Sequence, residues 1–198
     1  MSKKLSYALL LGAVLSAPLL AVSQTGSNKP AAKSAPESRL DAAITYNPMA
    51  AGLISGNNFW MEGVSGQLNG RLWRALSLTA DIGDQHNGNM RSSGVGLDMV
   101  TTTFGPRYSW QRNKYTFYGQ MLAGEAFGRN SIFPGVGGPT STANSLALLG
   151  GGGINRQLNK RFTVRLFEAD WLYTQLPNST TNAQNNLRMG WGIVVRIK

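Results

Sequence analysis

The chain has no cysteine in its 198 residues. That absence excludes a disulfide framework, a thiolate metal site, a cysteine nucleophile and a lipid-modified cysteine. Histidine occurs once, at His86, and charged residues make up only 14% of the chain. After residue 23 there is no apolar run of the roughly 20 residues that a helical membrane span needs. Asp-rich calcium loops are missing as well. The four glycines Gly150–Gly153 lack the GxGxxG spacing and are followed by no Lys-Ser or Lys-Thr, which argues against a phosphate cradle.

What is abundant is glycine, with 24 residues, and positive charge, with a formal net of +10. Interior glycine costs a helix about 1 kcal/mol relative to alanine, whereas strands and turns accommodate it where backbones approach closely. The basic residues are scattered singly from Arg39 to Lys198, with pairs such as Lys160-Arg161 and no basic stripe or helix, so nucleic acid is not expected as a partner.

Residues 1–23 combine Lys3 and Lys4, an apolar stretch from Leu5 to Leu20 and the small-residue exit Ala21-Val22-Ser23. This is the pattern of a secretory signal peptide, cut after Ser23. Residues 24–39, rich in Ser, Ala, Pro and Lys, read as a flexible periplasmic leader. The single domain is expected over 40–198.

Within that domain, apolar residues recur at every second position in segments of about 9–15 residues, the period of a strand with unlike faces. In 100–110, Val100, Thr102, Phe104, Pro106, Tyr108 and Trp110 oppose Thr101, Thr103, Gly105, Arg107 and Ser109. In 187–197, Leu187, Met189, Trp191, Ile193, Val195 and Ile197 oppose Arg188, Gly190, Gly192, Val194 and Arg196. Segments 61–72, 76–83 and 162–176 repeat the pattern. Segment 40–50 is a further strand, segment 115–127 has an ambiguous facing, and segment 145–158 carries the glycine run, which implies a close backbone approach or a bulge. The total is about eight strands, the smallest size of outer-membrane barrel.

Short connections at 73–75, 111–114 and 159–161 alternate with long polar ones at 51–59, 84–97, 128–144 and 177–185. An up-and-down barrel with one trimmed rim and one elaborated rim produces that order, and outer-membrane barrels have short periplasmic turns and long outer loops. The expected fold is all-β: an antiparallel up-and-down transmembrane β-barrel. A soluble lipocalin-type barrel has the same alternation with the opposite phase. The membrane reading is favoured by bulky charges on the polar faces and by aromatic residues near the strand ends (Trp60, Tyr108, Trp110, Trp171, Tyr173).

These segments resemble the OmpA-like family of small outer-membrane β-barrels in its stand-alone form. The resemblance runs over 40–198. It rests on Phe104-Gly105-Pro106-Arg107-Tyr108, the glycine-rich Gly150–Asn155, Glu168-Ala169-Asp170-Trp171 and Asn185-Asn186-Leu187-Arg188. It implies an integral protein of the outer membrane. The surrounding lipid and lipopolysaccharide, and the barrel-assembly machinery during insertion, would be its partners, and it would be a monomer. Two features depart from the family. The chain ends on Ile197-Lys198 where such barrels usually end on an aromatic residue, and no appended peptidoglycan-binding domain is expected.

No catalytic, cofactor or metal site is expected. Asp84, His86, Ser92 and Ser93 fall in one predicted loop and could meet as in lipid A-modifying barrels, but proximity in a loop is not the geometry a triad requires. The candidate site is a lumen charge network of Arg71, Asp81, Arg107, Glu168, Asp170 and Arg188. Arginine facing lipid at mid-depth costs about 2–4 kcal/mol, so Arg71, Arg107 and Arg188 are expected inside, paired with Asp81, Glu168 or Asp170. Such a network closes a narrow lumen and leaves the protein a structural or interaction role. The alternatives are a narrow passive channel and a lipid A-modifying enzyme.

Overall fold

A computed structural model describes residues 40–52, 58–90, 94–179 and 181–197. The expected signal peptide and leader lie outside the described residues. Nine strands form in chain order: β1 (Leu40–Tyr46), β2 (Met49–Ala51), β3 (Phe59–Trp73), β4 (Leu76–Asn87), β5 (Leu97–Arg112), β6 (Tyr115–Phe133), β7 (Thr140–Gln157), β8 (Phe162–Thr174) and β9 (Gln184–Arg196). Each pairs antiparallel with its neighbours, and β1 and β2 both pair with β9 as well as with β3, so the sheet closes on itself.

The barrel has eight staves, because β1 and β2 form one stave interrupted at Asn47-Pro48. Proline lacks the N–H a ladder needs. The gap is bridged by Asn47 N donating to the Gly63 carbonyl at 2.8 Å and Met189 N donating to the Pro48 carbonyl at 3.0 Å. Closure leaves no free sheet edge, the condition for strands to cross a bilayer.

The two faces of the wall settle its phase. Outward residues are apolar and bare: Ile44 is 73% exposed and Met121 74%, and Ile82, Phe104 and Ile193 are also exposed. Inward residues alternate with them and are buried even when polar, as Thr79, Asp81, Thr101 and Arg188 are. A water-soluble barrel has the reverse arrangement. Aromatic residues flank the outward band. Trp73, Trp110, Tyr115 and Phe162 lie beside the short turns, and Trp60, Trp171 and Tyr173 towards the long connections. Trp110 stacks on Phe117 at 5.6 Å between centroids. Segment 115–127, ambiguous by pattern, turns Tyr118, Gln120 and Leu122 inward and Met121 outward.

Two expected loops are shorter than their sequence suggests. β4 runs to Asn87, so Asp84 and His86 belong to the barrel wall and not to a loop. β6 and β7 run to Phe133 and from Thr140, replacing the expected 128–144 loop with a long hairpin. Its register is irregular between Arg129 and Phe133, where Asn130 takes φ +57°. The Gly, Asn and Ser content that suggested a loop is equally suited to a strand pair reaching beyond the apolar band.

Candidate functional site

The barrel interior has two layers of different chemistry. Towards the long connections it is mainly apolar: Met49, Phe59, Met61, Leu97, Met99, Leu122, Phe133, Leu149 and Leu172 form one buried cluster, closed by Met90 and Leu176 from the connecting segments, with Gln85, Thr174, Gln184 and Asn186 buried beside it. No such plug was expected. Its members sit at inward positions otherwise filled by polar residues, so along any one strand they read as breaks in the alternation.

Below that layer lies a charge network. Arg188 on β9 forks onto Asp81 of β4, with Nη1–Oδ1 at 3.0 Å and Nη2–Oδ2 at 3.3 Å. Its Nη2 also reaches Asp170 Oδ2 on β8 at 2.9 Å and Glu168 Oε1 at 3.9 Å. Arg165 Nη1 pairs with Glu168 Oε2 at 2.6 Å and donates to Thr45 Oγ1 at 2.9 Å. Tyr118 donates its hydroxyl to Glu168, and its ring lies under the guanidinium groups of Arg107 and Arg165, at 4.4 and 5.3 Å.

Glutamines tie the charges together. Gln67 donates to Asp81 Oδ2 at 2.8 Å and accepts from Arg107 Nη2 at 2.7 Å. Gln120 accepts from Arg107 Nε at 3.1 Å and donates to Asp170 Oδ1 at 3.0 Å. Three carboxylates (Asp81, Glu168, Asp170) thus face three guanidinium groups (Arg107, Arg165, Arg188), all of them buried. Charges taken out of water are tolerated when paired and hydrogen-bonded, and the bidentate fork is the strongest such geometry.

The chain makes room for this network with glycine. A Cβ on Gly151 of β7 would lie 2.2 Å from Asp170 Oδ1, and one on Gly153 would lie 2.6 Å from the Tyr118 hydroxyl. The glycine run therefore marks the stave against which Asp170 and Tyr118 pack.

Of the six expected residues, the structure brings Asp81, Glu168, Asp170 and Arg188 into one ion-paired cluster. Arg107 joins it differently from the expectation: its hydrogen bonds run to Gln67 and Gln120 and not to a carboxylate. Arg71 is half-buried and lines a cavity at the short-turn mouth. Arg165 was missed. Strict alternation from Glu168 and Asp170 points residue 165 outward. However, a bulge between Arg165 and Glu168 sets three residue steps of β8 against two of β9. It leaves both Leu166 and Phe167 outside and returns Arg165 to the lumen. The irregular pairing of Arg165, Leu166 and Phe167 has no local signature beyond two adjacent large apolar residues.

His86 is on the outward face near the long connections, where its ring bonds to Asp98. Asp98 in turn accepts from Asn130 and pairs with Arg129 Nε at 3.5 Å. Asp84 is not its partner, and Ser92 and Ser93 lie outside the described residues. Among the described residues no group of three or more His, Asp or Glu is placed to hold a metal ion.

No protein-family model matches the chain, and no curated protein matches it in sequence. Solved structures do match. The fold is similar to that of Neisserial surface protein A at 13% identity, with a TM-score of 0.60 over 81% of this chain and 98% of that one. It is similar to Ail, the attachment invasion locus protein of Yersinia pestis, at 14% identity, with a TM-score of 0.55 over 81% and 99%. At these identities the likeness is one of fold: a small transmembrane β-barrel.

Proposed function

We propose that this chain is an integral outer-membrane barrel of OmpA-like type, exported by its amino-terminal signal. Its lumen is sealed, and its role is structural or one of surface interaction. The observation that carries the reading is the two-layer interior, a neutral network of ion pairs spanning the barrel under a packed apolar plug. An ion crossing it would have to separate buried pairs and then pass a packed, mainly apolar layer whose few polar side chains, such as Thr174, Gln184 and Asn186, already bond to one another and to the backbone. Eight-stranded barrels are generally filled by their own side chains in this way.

With the lumen closed, the surface left for work is the long-connection rim. There the β6–β7 hairpin carries exposed Ile132 and Val136 at its tip. An elaborated rim carried on a rigid barrel is where contacts with other macromolecules concentrate. Attachment appears in the name of one structural relative, and fold alone does not transfer that role. The barrel works as a monomer in lipid and lipopolysaccharide, inserted by the assembly machinery, and is not an enzyme.

Planar-bilayer recording tests the seal. Wild type is expected to give no discrete conductance steps, and single-channel steps in wild type that vanish in Arg107→Glu would overturn the sealed reading. Heat-modifiable gel migration of the outer-membrane fraction checks location. Lipid A profiles from cells carrying wild type or His86→Ala should be identical, and a difference would restore the enzymatic alternative.

A further inference from the structure

The cavity at the short-turn mouth adjoins the charge network, with which it shares Arg107 and Arg165, and differs from it in balance. It has a volume of about 90 Å³, and among the described residues five arginines, Arg71, Arg74, Arg107, Arg165 and Arg196, contribute to its lining against one carboxylate, Asp41. Liquid water occupies about 30 Å³ per molecule, so the space suits a few waters or one small oxyanion. Arg107 and Arg165 enter it from the network side. Arg74 and Arg196 come from the rim, at the β3–β4 turn and the end of β9.

Several polar atoms here lack partners. Arg165 is 1% exposed, and its Nη1 is occupied by Glu168 and Thr45 while its Nη2 has no hydrogen-bond partner. Arg196 Nη1 and Thr163 Oγ1 are also buried without partners, and both residues line the same cavity. Buried donors left unsatisfied are costly, more so when charged. Guanidinium groups are the side chains best matched to a tetrahedral or planar oxyanion, because their N–H groups present a fork. The one discordant group is Asp41, whose Oδ1 also lacks a partner and which stands opposite Arg196 in the β1–β9 register.

We propose that this vestibule binds a single phosphate-type oxyanion from the short-turn side of the membrane, held by Arg165 Nη2, Arg196 and Thr163. Asp41 opposes it and weakens its binding. The same chemistry is offered by free inorganic phosphate and by the headgroup of an anionic phospholipid. The vestibule lies inside the wall of staves, which favours the free ion.

The test uses the full mature chain, folded in zwitterionic detergent and titrated calorimetrically with inorganic phosphate in a low-chloride buffer. A parallel arm places it in phosphatidylcholine nanodiscs with and without phosphatidylglycerol. Saturable phosphate binding is expected in detergent. Arg196→Gln should weaken it by about tenfold, the scale of one lost charge-assisted hydrogen bond, and Asp41→Asn should strengthen it several-fold. Heat-modifiable migration verifies that each variant is folded. Competition by phosphatidylglycerol in the nanodisc arm would assign the headgroup as the natural source, and its absence the free ion. The proposal is overturned if wild type shows no saturable binding in either arm, or if Arg196→Gln and Asp41→Asn both leave the affinity unchanged.

Discussion

The two layers of the lumen fill the same cylinder by opposite means. Near the long connections, Met49, Met61, Met99, Leu122, Leu149 and Leu172 exclude water by close packing. Beneath them, Asp81, Arg188, Asp170, Glu168 and Arg165 fill the space with charges that satisfy one another. The apolar layer depends on volume and tolerates exchange of one hydrophobe for another. The charged layer depends on partner identity, since removing one ion leaves its counter-ions buried and alone. The two layers should therefore respond differently to mutation.

Arg188→Ala should have the largest effect, because it strands both Asp81 and Asp170. A loss of about 3–5 kcal/mol is expected, measured by reversible urea unfolding in lipid vesicles; a loss below 1 kcal/mol would mean that water reaches the network. Leu172→Ala in the apolar layer should cost about 2–5 kcal/mol, and Leu172→Met less than about 1.5 kcal/mol. If the methionine variant is as damaged as the alanine one, the layer is not a packing device. Gly151→Ala probes the contact with the network from the wall. Its Cβ would meet Asp170 and, at 2.3 Å, the Ala169 carbonyl oxygen of the neighbouring strand, and a cost of at least about 1–3 kcal/mol is expected, whereas Gly150→Ala, which meets nothing within 4 Å, should be nearly silent. Smallest of all is the outward His86–Asp98 contact. His86 is largely exposed, so His86→Ala should change stability by no more than about 1 kcal/mol, and a larger change would mark that pair as more than a surface contact.

Much of the barrel was legible from residue order. Alternation over 100–110 and 187–197 identifies strands, and the alternation of short and long connections gives an up-and-down closure. Arg188, Asp81 and Asp170 fall on polar faces, and a narrow interior forces such charges to meet. Other features were hidden for definable reasons. Arg165 is invisible to a period of two because the bulge before Glu168 shifts the phase. The apolar plug is invisible because Leu122 and Leu149 break the inward pattern one strand at a time, and only closure brings them together. The β6–β7 hairpin looked like a loop because strands beyond the apolar band no longer need outward hydrophobes.

By itself the sequence determined the class of structure, since backbone groups in an apolar surrounding must pair and alternating segments can pair only as a closed sheet. It also determined which residues would be unable to face lipid. The tertiary structure alone decided how those residues are matched: Arg107 to glutamines, Arg188 to two aspartates, Arg165 to Glu168, and Arg71 to the mouth. Partner choice across a barrel depends on stagger between staves and on a single bulge. Those are properties of the closed ring, and no strand carries them alone.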